Sequence, residues 1–78
     1  MTTGTKIRFF NGNDRDGKPT YASDTWKVTR MERVGHVTPA VFECTVVKVR
    51  EPGMRGRMPT RYFVVVDGTD ITTFYIKV

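Results

Sequence analysis

Apolar and polar residues alternate along much of this chain, and the alternation predicts strands. In residues 5–10, Thr-Lys-Ile-Arg-Phe-Phe, Ile7 and Phe9 share one face while Lys6 and Arg8 point the other way. Residues 40–50 form the clearest strand, with Phe42, Cys44 and Val46 on one face. Val47 and Val49 then fall on the other face, a change of parity that predicts a bulge near Val46-Val47 or a strand passing from one packing surface to another. Residues 60–67 read as a further strand, and Asp67-Gly68 as a hairpin turn leading into a last strand over 71–78. In that last strand Phe74, Ile76 and Val78 share the inward face, which leaves Tyr75 outside with Tyr62. The C-terminal part therefore reads as a three-stranded antiparallel meander.

The segment 20–31 supports two readings. Thr25 to Thr29 fits a strand with Trp26 and Val28 inward, favoured by its β-branched residues. A short helix over 24–34 fits as well, capped by Asp24, with Val28, Met31 and Val34 at helical spacing. Between these segments lie two connections. Residues 11–19 are rich in Asn, Asp and Gly, which favour turns. Residues 51–59 carry two prolines and two glycines, which argue against regular structure. The expected fold is mainly β: a small antiparallel barrel or curled sheet of four to five strands, with one short helix at 24–34 as the alternative.

The chain has 78 residues. That suits a single domain, 1–78, with one small core and little room for a deep pocket. No stretch approaches the roughly 20 apolar residues of a membrane helix, and residues 1–5 lack an apolar leader. The expectation is a cytoplasmic protein without membrane attachment. A small domain with unpaired strand edges can also form a homodimer.

Charge changes the picture more than composition does. The net charge is +5, and it is unevenly placed. Residues 48–61 hold Lys48, Arg50, Arg55, Arg57 and Arg61 against Glu51 alone. Arginine's planar fork of donors matches phosphate oxygens and guanine edges. Gly53 and Gly56 allow close backbone approach, and Tyr62 adjoins the segment as a stacking ring. This pattern points to a non-catalytic nucleic-acid-binding domain. Lys48, Arg50, Arg55, Arg57, Arg61 and Tyr62 are its candidate contacts, and Arg8, Arg30 and Arg33 could extend the surface. DNA and RNA remain equally open.

A second reading uses the same basic loop against an acidic protein surface. The chain would then be a small interaction module or inhibitor, of the kind viruses and mobile elements encode, blocking a larger host machine. Catalysis finds little support. Cys44 is the sole cysteine and His36 the sole histidine, too little for a thiol–imidazole pair to be argued. The spacing from Gly12 places Asp14, Asp16 and Gly17 at calcium-loop positions. Position one is then Gly12 and position twelve Ser23 in place of the chelating Glu, so the loop reads as a turn. No metal or cofactor is expected.

Overall fold

A computed structural model describes residues 2–78. The chain forms one antiparallel sheet of six strands: β1 (Lys6–Asn13), β2 (Pro19–Tyr21), β3 (Trp26–Arg33), β4 (Val41–Lys48), β5 (Thr60–Val66) and β6 (Tyr75–Lys77). β1 is the hub. β2 pairs with its far end (Phe10 with Tyr21), β3 with its start (Ile7 with Trp26), and β6 with its middle (Phe9 with Tyr75). β4 then joins β3, and β5 joins β4. β5 and β6 do not pair, so the sheet curls without closing, and the barrel alternative is not realised. The extents, 43 × 37 × 15 Å, leave room for one layer and its side chains.

The helix alternative over 24–34 is replaced by β3. Its apparent helical spacing has a different cause. Val28 lies opposite Val46, yet Arg30 lies opposite Thr45, so Thr29 is an extra residue in the ladder. The bulge shifts the inward set from Trp26 and Val28 to Met31, which then faces Cys44. An i, i+3 spacing thus arises in an extended strand. The irregularity expected in β4 near Val46-Val47 lies instead in the strand beside it.

The C-terminal meander is also corrected. Val66 O accepts from Thr69 N across the Asp67-Gly68 turn. Gly68 has φ +80°, and among the described residues none other than glycine has positive φ, which excludes the two-residue hairpin turn with both central residues left-handed. The chain therefore leaves β5 through a single 3-10 turn, Ile71–Thr73, where a strand was expected. Asp70 caps that turn, its Oδ1 accepting from Thr72 N at 3.0 Å and Thr72 Oγ1 at 2.7 Å. These bonds hold the Asp70 carboxyl below its usual range. β6 then crosses to β1 with the opposite parity from that expected: Tyr75 is buried, while Phe74, Ile76 and Val78 are exposed.

The 11–19 connection is shorter than its composition suggests. β1 runs on to Asn13, past a bulge at Gly12, where Thr20 Oγ1 donates to Gly12 O at 2.8 Å. Asp14 Oδ1 accepts from Asp16 N and Lys18 N, each at 2.9 Å. The carboxylate closes its own turn, as Asp does in this setting. Among the described residues no three acidic, His or Cys side chains gather as a metal site.

One face of the sheet carries the core. Ile7, Trp26, Val28, Val46 and Tyr75 are buried together, with Phe9, Met31, Phe63, Val65 and Ile71 packed around them. Phe9 meets the edges of Trp26 and Phe63 with ring centroids 5.7 Å apart in each case. Phe63 tilts against Tyr75 at 5.5 Å. This aromatic cluster spans β1, β3, β5 and β6 and holds the curl where backbone pairing stops. Cys44 is buried among apolar neighbours, and burial pushes its thiol up, as expected of a packing residue. No helix among the described residues is long and apolar enough to cross a membrane.

Candidate nucleic-acid interface

The basic segment leaves the sheet at the end of β4 and returns at β5. Its base is set by Lys48 N donating to Pro59 O at 3.0 Å and Val49 N donating to Thr25 O at 2.8 Å. Glu51 to Met54 form a turn, with Met54 N on Glu51 O at 3.1 Å and Gly53 at φ +90°. Gly56 takes φ +80°, a conformation that strains any residue carrying a side chain. Met54 and Met58 are half-buried, so the loop folds back over part of its own apolar content.

Arg50 organises the bend. Its guanidinium donates to Met54 O at 3.1 Å and to Gly56 O, gripping the carbonyls on either side of Arg55. The sequence gives no hint of this role, because it depends on the positive-φ turns that aim both carbonyls at one point. Arg55 and Arg57 are exposed, and neither makes a hydrogen bond or ion pair with the described residues. Arginine without a carboxylate partner keeps its whole donor fork for a ligand.

The remaining candidates are more committed. Lys48 lies on the core-bearing face with its Nζ 3.9 Å from Asp24 Oδ2, and its side chain is largely covered. Arg61 stacks its guanidinium over the Phe9 ring, 4.0 Å from the centroid, and stands 5.6 Å from that of Trp26. Such stacking holds a cation while leaving its edges free for acceptors. Tyr62 is 77% exposed and lies on the opposite face of β5 from Arg61, so these two neighbours serve different surfaces. The wider set divides too. Arg30 is paired with Glu32 at 2.6 Å, which raises its pKa first through that hydrogen bond and then through the charge. Arg33 donates to Val37 O at 3.4 Å, and Arg8 Nε reaches Thr25 Oγ1 at 3.5 Å.

A cleft opens beside Arg61, where β5 and β6 fail to meet. Its volume is about 390 Å³, and its walls include Phe9, Phe63, Ile71, Phe74 and Tyr75. Arg61 is the one charged group in this lining. Charge groups Arg61 with the loop cluster, whereas the structure sets it at the cleft. The signal for it was indirect: an arginine sharing strand parity with Phe63 and Val65, which are inward. Comparisons with family models, curated proteins and solved structures found no match to this chain.

Proposed function

We propose that this chain is a non-catalytic nucleic-acid-binding domain whose 48–61 loop carries the contact. The observation behind the reading is the division of labour among its arginines. Arg50 spends its donors on the loop's own carbonyls, and Arg55 and Arg57 keep theirs free. A loop held in this way loses less conformational freedom on binding, so more of the phosphate attraction appears as affinity. In this reading Arg55 and Arg57 contact phosphates, Arg50 is a positioning residue, and Lys48 and Arg61 supply positive potential at the loop's base. Tyr62 offers an exposed ring on which an unpaired base can stack.

Fluorescence anisotropy with labelled single-stranded DNA, duplex DNA and RNA tests this directly. Saturable binding that weakens steeply as salt rises is expected. No saturable binding to any of the three at low salt would remove the proposal. The rival interaction module is separated by capture from lysate with and without nuclease: partners released by nuclease fit the nucleic-acid reading, and partners retained fit the rival.

A further inference from the structure

β5 is an outermost strand that pairs with no strand on its free side, which borders the cleft beside Arg61. Lys48 N donates to Pro59 O, and Asp67 N donates to Ala40 O at 2.8 Å. The β4–β5 register then directs the backbone groups of the odd-numbered residues of β5 toward β4. The N–H and C=O groups of Thr60, Tyr62, Val64 and Val66 point the other way. Among the described residues only Val66 O finds a partner there, Thr69 N at 3.2 Å. No lysine or proline interrupts Thr60–Val66, and Tyr62 and Val64 are 77% and 61% exposed. Of the devices that keep strand edges from pairing with other chains, β5 carries only an inward charge, Arg61, so the edge is open once that charge is matched.

We propose that the partner is a second copy of this chain, joined β5 to β5 in antiparallel fashion across a two-fold axis at Val64. The choice of axis follows from side-chain chemistry. Pairing through the free groups requires even-numbered residues opposite even-numbered ones, so the axis passes through a residue. Of the residues of β5, Val64 alone places Arg61 opposite Asp67 of the other copy. Both side chains belong to the same face, because Asp67 continues the β4 ladder with the parity of Arg61. The symmetry makes this charge pair twice. The same register sets Tyr62 against Val66 and Phe63 against Val65, aromatic on β-branched on each face, and Val64 against itself. A two-fold interface needs a self-complementary strip, and this strand supplies one. The pairing uses the edge of β5 and leaves its exposed face, with Tyr62, uncovered.

Size-exclusion chromatography with light scattering over a rising concentration series is the test. The wild-type mass should climb from 8.9 kDa toward twice that value. Val64→Pro removes an N–H that points to the free edge and costs no β4–β5 bond, and edge strands accept proline. It should stay at the chain mass while retaining the wild-type circular dichroism spectrum. Arg61→Asp alone sets two acids opposite one another, and Asp67→Arg alone sets two arginines opposite one another, so each should be monomeric. Mixed in equal amounts, the two variants complement each other and should form a heterodimer. That recovery also decides the matter if Val64→Pro fails to fold. A wild-type mass fixed at 8.9 kDa throughout would overturn the proposal, as would a Val64→Pro dimer or a mixture that stays monomeric.

Discussion

Truncating Tyr75 should cost this domain much of its stability, and the same change at Phe74 or Ile76 should not. Tyr75 is 2% exposed, sits opposite Phe9 in the β1–β6 ladder and packs against the Phe63 ring. Removing a buried aromatic side chain costs about 3–5 kcal/mol, because the transfer energy is lost and a cavity remains. At roughly 0.05–0.15 kcal/mol per residue, a chain of this length has about 4–12 kcal/mol in all. Tyr75→Ala therefore removes a quarter or more of the total. Phe74 is 60% exposed and Ile76 41%, so their truncation to Ala removes far less covered surface and should cost under about 2 kcal/mol each. Tyr75→Phe keeps the ring and should stay within about 1 kcal/mol of wild type.

Urea unfolding followed by the fluorescence of Trp26 reads these differences. Trp26 is the sole tryptophan and lies in the same core as Tyr75. With a slope near 1 to 1.5 kcal/mol per molar urea, expected for a domain this small, Tyr75→Ala should lower the midpoint by about 2–5 M. A larger loss for Phe74→Ala or Ile76→Ala than for Tyr75→Ala would refute the parity of β6, and with it the pairing that turns the C-terminus back onto β1.

Two further predictions follow from burial and from the loop. Burial raises the pKa of both the Cys44 thiol and the Tyr75 phenol in the folded state, holding each group in its neutral form. The stability these groups contribute is complete below their ordinary values of 9.0 and 10.0 and is lost as pH rises through the raised ones. Urea midpoints should therefore fall as pH rises above about 8, and the fall should be shallower in Cys44→Ala/Tyr75→Phe. Arg50→Ala should loosen the loop without removing a phosphate contact. Nucleic-acid affinity should drop by roughly fivefold, about 1 kcal/mol, with the salt slope near wild type and faster amide exchange at residues 51–57.

The strands visible in the sequence were those whose alternation needs no distant partner to interpret. Ile7 and Phe9 stand against Lys6 and Arg8, and Cys44 and Val46 against Glu43 and Thr45, so a single inward face is evident. β6 was not legible, because both parities of 74–78 are apolar enough to be core. Pairing with β1 decides the issue, and it selects Tyr75 through contacts far away in sequence. The bulge at Thr29 produced a helix-like spacing in an extended strand. Asp67 does not share the positive φ of Gly68, so the apparent hairpin turn is not formed and the chain crosses to β1 instead. The basic segment was plain from charge alone. What charge could not reveal is that Arg50 faces inward to carbonyls and that Arg61 stacks on Phe9, fifty-two positions away.

The salt dependence of nucleic-acid binding in Arg55→Ala/Arg57→Ala tests the central claim most directly. Each phosphate neutralised contributes about 0.7 to the slope of log affinity against log salt on single strands and about 0.9 on B-form duplex. If both free guanidinium groups meet phosphates, the double variant should bind more weakly and its slope should flatten by about 1.4 or about 1.8 respectively. Wild-type affinity and slope in that variant, with its fold intact, would contradict the account.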